Sequence, residues 1–401
     1  MFVASWGCAL VEREAHMATR KDNGLTKYQR QILESLEDSD PNIVPKALSY
    51  RPTNVYADSD RFELERRKLF RGRPVPVEVS VALPRSRMHV TNNDYGLPLL
   101  LTRDDDGKAH AFMNVCTHRC VRLSDEVEAK SGALITCPYH AWSFSMKGDL
   151  VGVPREEVFP GLDKKKHKLK ALQCVEAGGL IWVNLDPQSK ADFSAVEDEL
   201  APEFDAIGLP AQVVYKKMRI EIPANWKLIH DAFLENYHIA RLHRDSLGSM
   251  FVDRSTSCVE IGQNILQSSA RVGYKRERRE GVETFSDFRD FGVFSYTIVA
   301  GGLIITSPTY INVMLLSPQS ATSTVINYYM LVDKMPETDA ERARCEKSIT
   351  LMQRITTEED FWVAELGTIA AQTGVVQEMV LGGMEQDIAR FHGILETILK
   401  S

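Results

Sequence analysis

The 401-residue sequence contains no run of eighteen apolar residues, so no stretch of it reads as a membrane-spanning helix. A signal-peptide pattern is also missing. The apolar run from Phe2 to Leu10 is short and leads into Glu12, Arg13 and Glu14 instead of a small-residue cleavage site. Met17 opens a more conventional polar start and is a second candidate initiator. The net charge of −7, with no extended lysine- or arginine-rich face, argues against a nucleic-acid partner. Cysteine is scarce. The seven are odd in number and irregular in spacing, which makes a poor disulfide framework and points to a reducing cytoplasm. No internal repeat or low-complexity segment appears. What is present, 44% hydrophobic and 26% charged residues, suits a globular chain long enough for two domains.

Periodicity divides the chain. Residues 25–40 read as a helix, with Tyr28, Ile32 and Leu36 four apart. Residues 59–70 read as a second, capped by Ser59 or Asp60 with Glu63 completing a capping box. Residues 1–73 are thus expected to be an N-terminal tail and helices packing on the two main domains. From about residue 74 the period becomes two, in short runs such as His89-Val90-Thr91, Leu99 to Thr102, Ala109 to Met113 and Leu134-Ile135-Thr136. Residues 74–187 therefore predict a small antiparallel β domain. Residues 188–401 mix a strand at 212–222, a helix at 225–239, β-rich stretches at 258–272, 293–317 and 322–334, and helices from Thr338 on. The fold class is α+β, with an antiparallel sheet and flanking helices in the larger domain.

Within the β domain stands the pair Cys116-Thr117-His118 and Cys137-Pro138-Tyr139-His140. Two thiolates and two imidazoles suit zinc or an iron–sulfur cluster. Zinc pairs are usually Cys-x2–4-Cys with His-x3–5-His. A loop that gives one Cys and one His, twice over, matches a Rieske [2Fe–2S] centre, where two cysteines hold one iron and two histidines the other. With the flanks Arg119, Pro138, Tyr139 and Trp142, these loops resemble those of the Rieske non-haem iron oxygenases. The resemblance is to their large (alpha) subunit, in the aromatic-ring-hydroxylating dioxygenase family. It implies a Rieske [2Fe–2S] cluster on Cys116, His118, Cys137 and His140, and a second, mononuclear non-haem Fe(II) site. Respiratory Rieske proteins add a disulfide through a cysteine just before the last histidine. Tyr139 stands there instead, which leaves Cys120 to be read as a buried thiol or as one standing behind the cluster ligands.

The second site is sought in the run Asn225 to His243. His238 and His243 are five apart, about 140° round an ideal helix, so both reach one metal only if the helix loosens or ends between them. Two histidines and a carboxylate on one face of iron leave positions open for dioxygen. By the resemblance the carboxylate is Asp360. Taken alone, Glu358-Glu359-Asp360 also reads as a solvated helix face. The resemblance further implies that Glu235 joins His238 to the Rieske ligand His140 of an adjacent subunit, as an acceptor-only carboxylate suits. His230 is expected to stand behind the ligand histidines or to line the pocket, with Phe233, Met250, Phe251 and the strands from Ile304 to Leu316 as walls. Lys164 to Lys170 reads either as a solvated loop or as a docking patch for an acidic electron donor.

The expected activity is that of a terminal oxygenase. It takes dioxygen and electrons from NAD(P)H through a ferredoxin or flavin reductase and hydroxylates an aromatic or cyclic apolar substrate. A rival reading keeps this machinery but demethylates N- or O-methyl groups, and Glu235, standing where many ring-hydroxylating relatives have Asp, leans toward it. A third is an electron carrier without oxygenase activity. The resemblance implies a homotrimer, with or without a beta subunit.

Overall fold

The computed structural model describes residues 24–36 and 48–401, apart from the side chains of residues 253–255, 276 and 278. The alternative initiators, and the helix stop expected at Asp38–Pro41, lie outside the described residues. The architecture is the expected α+β one: a small antiparallel β domain and a larger domain built on an antiparallel sheet with helices.

Seven antiparallel strands form the large sheet. Their spatial order is Val213–Ile222, Ser323–Val332, Ile311–Ser320, Gly302–Thr306, Gly292–Ile298, Asn264–Arg271 and Phe251–Ile261. Alternate side chains of a strand face opposite sides, and here both sides are apolar. On Ser323–Val332, Tyr329 and Leu331 join a core with Phe204, Phe288 and Phe294, whereas Tyr328 and Met330 join a second core with Ile349, Met352 and Ile355. The sheet is therefore covered on both faces, and the second core presses helical residues 339–372 against it.

The smaller β region holds a five-stranded sheet, two three-stranded sheets and the two cysteine–histidine loops. One loop follows the strand Ala109–Met113, and the other joins Leu134–Thr136 to Ser143–Ser145. Beneath the loops Phe112, Ile135, Trp142 and Phe144 make a separate apolar core that includes Cys116 and Cys137. Asp94 fixes this region against the large sheet. Its carboxylate accepts from Arg219 at 2.9 Å and Asn327 at 3.0 Å, and its carbonyl accepts from Ser317 at 2.7 Å.

Two local readings differ from expectation. The second helix, Ser59–Glu65, is capped by Asp58, which accepts from the Arg61 N–H at 2.8 Å. A cap must be extended, and Asp58 is, whereas Ser59 is already helical. The strand Glu378–Leu381 was not anticipated. It pairs antiparallel with Ser49–Pro52, more than three hundred residues away, and each segment is only four residues long.

Candidate functional site

The two cysteine–histidine loops share one backbone frame. Cys116 N donates to Val121 O at 2.8 Å, as Cys137 N does to Trp142 O at 2.8 Å. Cys120 N donates to Cys116 O at 3.0 Å, as Ala141 N does to Cys137 O at 3.0 Å. Cys120 and Ala141 both occupy the left-handed region, with φ of 57° and 56°. The frames superpose residue for residue, except that the histidine falls two after the cysteine in one loop and three after it in the other. Cys116 and Cys137 are buried side by side. Burial pushes the Cys116 thiol up, and backbone amides of His118 and Arg119 oppose that. The His118 and His140 ring centroids are 4.8 Å apart. Trp142 is buried and stacks on His118 at 4.6 Å.

This donor set fits a Rieske cluster. The His140 Nδ1 is buried with no hydrogen-bond partner among the described residues, as an atom reserved for a metal would be. Cys120 is not the buried thiol expected from sequence. It is exposed, and its place is set by the left-handed turn of the frame. Tyr139 is also exposed. It stacks on the His140 ring at 3.7 Å, and its hydroxyl accepts from Arg119 at 3.1 Å.

The second site lies at a break in the helix expected at 225–239. The helix runs only from Trp226 to Ala232, capped by Asn225. Phe233 and Leu234 close it with three-residue turns, and a single helical turn, Ile239–Leu242, follows with His238 before it and His243 after it. The chain loosens before His238, and the short turn ends at Leu242, between the two histidines as their spacing requires. One short turn then brings their rings to 5.0 Å. Asp360 arrives on a different helix. Residues Arg354–Asp360 form a π-helical turn between Asp339–Gln353 and Phe361–Gln372. Such widened turns recur at functional sites. On a regular helix neighbouring residues diverge by about 100°, yet here both Glu359 and Asp360 are buried toward His243. The solvated-face reading of these two acids therefore fails, although Glu358 is exposed.

His238, His243 and Asp360 each offer a ligand atom, and these atoms lie within 4.8 Å of one another. Asp360 Oδ1 is 3.0 Å from His243 Nε2 and 3.7 Å from His238 Nε2, without hydrogen-bond geometry to either. Convergent atoms that do not bond one another fit a two-histidine, one-carboxylate iron site. The far nitrogens are held too. His238 Nδ1 meets Glu235, whose other oxygen accepts from the His238 backbone N–H at 3.1 Å. His243 Nδ1 lies 2.6 Å from Glu359, which also accepts from Ser246 at 2.7 Å. Burial alone would depress the His243 imidazolium, but Asp360 and Glu359 outweigh it and hold the ring above the usual histidine range. Glu359 was missed from sequence, because only the π turn lets two consecutive acids serve one histidine.

A cavity of about 360 Å³ opens beside the triad and includes His238, His243 and Asp360 in its wall. Phe233, Met250, Phe251 and Ile305 line it as expected, whereas Ile304 and Leu316 turn into the cores. His230 does not reach it. The ring is fully buried, stacked on Phe391, with Nδ1 3.0 Å from the Trp226 carbonyl oxygen, and burial pushes its pKa down to about 4.

Two family models match the chain: a Rieske [2Fe–2S] domain over residues 74–172, and a ring-hydroxylating alpha subunit catalytic domain over residues 211–401. The carnitine monooxygenase oxygenase subunit of Acinetobacter pittii is 30% identical over 254 residues, covering 62% of this chain and 67% of the relative. The chain belongs to the Rieske non-haem iron oxygenases, as a large (alpha) subunit. The carnitine monooxygenase oxygenase subunit of Escherichia coli is 34% identical over 214 residues, 51% of this chain. That match spans about half of the relative, 54%. In fold, the chain is similar to a quaternary ammonium Rieske monooxygenase solved with L-carnitine. The TM-score is 0.73 at 20% identity, covering 93% of this chain and 99% of the other. The family is thus the one the loops resembled, but these relatives are monooxygenases and do not bear out the aromatic-ring-hydroxylating branch. A Rieske domain and a His/His/Asp iron site in one chain also set aside the electron-carrier reading. No helix among the described residues is long and apolar enough to cross a membrane.

Proposed function

We propose that the protein is the terminal oxygenase of a Rieske monooxygenase that oxidises a methyl or other alkyl carbon beside a heteroatom in a small polar substrate. The observation that carries this reading is a pair of unmet polar groups in the cavity. Gln267 and Ser295 face each other on adjacent strands, both line the cavity, and Gln267 Nε2 and Ser295 Oγ are buried without partners among the described residues. An aromatic hydrocarbon would leave both unsatisfied, at about 1–3 kcal/mol each. A polar substrate, or water carried in with it, satisfies them. Glu235 and the likeness to monooxygenases named for carnitine point the same way.

In this reading Cys116, Cys137, His118 and His140 hold the cluster, and His238, His243 and Asp360 hold the iron. Bound, these groups supply one-electron transfer and dioxygen activation. The chain's own residues set the conditions. Glu235 and Glu359 keep the Nδ1 protons of His238 and His243, so each Nε2 presents its lone pair inward. Phe233 and Ile305 give the cavity wall near the triad its apolar character. The balance is one dioxygen, two electrons and two protons per N–CH3 oxidised. It gives one water and an N–CH2OH group that collapses to N–H and formaldehyde. The electrons come from NAD(P)H through a ferredoxin or flavin reductase. The exposed Lys165, Lys166 and Lys170 beside the first loop offer that donor a basic surface. A homotrimer would place Glu235 within reach of His140 of a neighbouring subunit.

Dioxygen uptake with an artificial reductant across a panel of methylated amines, ethers and arenes tests the reading. Formaldehyde and a product lighter by one methylene are expected. A product heavier by two oxygens and two hydrogens, from an arene, would replace it with dihydroxylation.

A further inference from the structure

Several enclosed arginines are neutralised by carboxylates. Arg61 pairs with Glu65 and Glu396, Arg103 with Glu176, and Arg289 with Asp333. Arg271 is half-buried, lines the cavity beside the iron triad, and has no carboxylate, side-chain or carbonyl partner for its guanidinium among the described residues. The guanidinium carbon lies 5.7 Å from the centre of the Phe251 ring, on the paired strand, and its charge also reaches Tyr310 in the same cavity wall.

The strand geometry sets its distance from the segment that carries His238. Gln267, Ser269 and Arg271 alternate along Asn264–Arg271 and all line the cavity. Ser269 accepts from Asn236 at 2.8 Å, two residues before His238. Arg271 is two residues further along, on the order of 7 Å at a strand's rise. Lys347, exposed on the helix Asp339–Gln353, adds a second cation to the same wall. The cavity therefore has carboxylates at its iron end and unneutralised cations along the wall beyond.

We propose that Arg271 is a specificity-determining residue that binds an oxyanion, a carboxylate or sulfonate, carried by the substrate a few bonds from the carbon that is oxidised. This deepens the monooxygenase reading and rests on it. A planar fork held on the Phe251 face suits two parallel hydrogen bonds to such a group. Lys347 adds longer-range attraction. The polar pair Gln267 and Ser295 lies on the other side of Ser269 from that anchor, in the wall of the same cavity.

The test uses the full-length protein loaded with cluster and Fe(II), without turnover. The ferrous site is marked anaerobically with nitric oxide, and its EPR signal is followed as compounds are titrated. The probes are N,N-dimethylglycine, 4-(dimethylamino)butanoate and 2-(dimethylamino)ethanesulfonate, each against a counterpart without the charge: the ethyl ester, or the alcohol for the sulfonate. At least one anion should perturb the signal, with its neutral counterpart roughly 10- to 100-fold weaker. Arg271→Gln should bring the two to equal affinity, and Arg271→Lys should restore part of the preference. Lys347→Gln should reduce it only slightly. An unchanged visible spectrum of the cluster shows that each variant is folded. Binding of anion and neutral form alike by wild type, binding of no anion, or an undiminished preference in Arg271→Gln would overturn the proposal. Product analysis separates the two claims: a diol product with the anion preference intact removes the monooxygenase reading and leaves Arg271 as the anchor.

Discussion

The loops at Cys116 and Cys137 each hold their ligands within four residues, on a backbone frame whose matching hydrogen bonds agree in length. The ligands at His238, His243 and Asp360 sit on two helices far apart in the chain, each interrupted where the ligand is needed: one breaks after Ala232, the other widens at Arg354–Asp360. The difference lies in where rigidity comes from. The loop frame is local and rests on its own apolar core, so the strand pairs on either side suffice to position it. The helical site depends on the core that presses residues 339–372 against the seven-stranded sheet. It also depends on Glu235 and Glu359 to aim its histidines.

Removing one ligand from each region is the hardest test of that contrast. Asp360→Ala should cost about 1,000-fold or more in turnover and one iron per chain, while the visible spectrum of the cluster stays. Cys137→Ala should do the reverse, losing the cluster spectrum but keeping Fe(II) binding at the second site. Metal analysis and absorption on the same samples check both. If either variant lost both metal groups, the two regions would not be independently held.

Glu359→Gln sharpens the point at lower amplitude. It leaves every ligand in place and weakens the grip on His243, so Fe(II) affinity should fall about 10- to 100-fold with the cluster untouched. An unchanged affinity would mean that the π turn alone positions the site.

Glu203 lies outside both regions and serves as a control on stability. Burial raises its carboxyl from 4.5 to about 7, against bonds from Tyr296 and other neighbours. The folded state then holds a proton that the unfolded state has released between those values. Its contribution to stability is therefore present below pH 4.5, declines as pH rises, and is gone above 7. Glu203→Gln should stabilise the protein at pH 8 by about 1–3 kcal/mol, with no gain at pH 4, and leave both metal contents unchanged. Thermal denaturation across pH reads this directly.

The smallest effect concerns the loop frame itself. Cys120→Gly keeps the left-handed turn and should stay within about 1 kcal/mol of the parent with a normal cluster spectrum. Cys120→Val at φ of 57° should be clearly worse. Loss of the cluster in Cys120→Gly would mean that the thiol, not the turn, matters.

These contrasts also explain what could be read in advance. The Rieske pair was legible because its ligands are neighbours in the chain, and spacing alone limits what they can bind. The alternation of Val213–Ile222 likewise gave a strand, since a half-buried strand must alternate, whereas Ser323–Val332 is buried on both faces and read only as part of a β-rich stretch. His238 and His243 were visible as a pair with a helix end between them, but the earlier break after Ala232 was not, because no residue between Phe233 and His238 announces it as a proline or glycine would. Asp360 entered only through family resemblance, since an acidic run on a helix most often faces water. Glu359, Arg271 and the Gln267–Ser295 pair gave no sequence signal of their own. Each acquires meaning only from what faces it across the fold.

By itself, then, the amino-acid sequence determined the α+β class and the [2Fe–2S] loops, because these depend on periodicity and short-range spacing, and the second iron site followed from the family that those loops resemble. Tertiary structure alone decided which acid aims His243, how a π turn brings Asp360 inward, and which polar groups the cavity leaves for a substrate. Those are properties of surfaces brought together from distant segments. Their energies come from burial and from partners met or unmet, which no local pattern encodes.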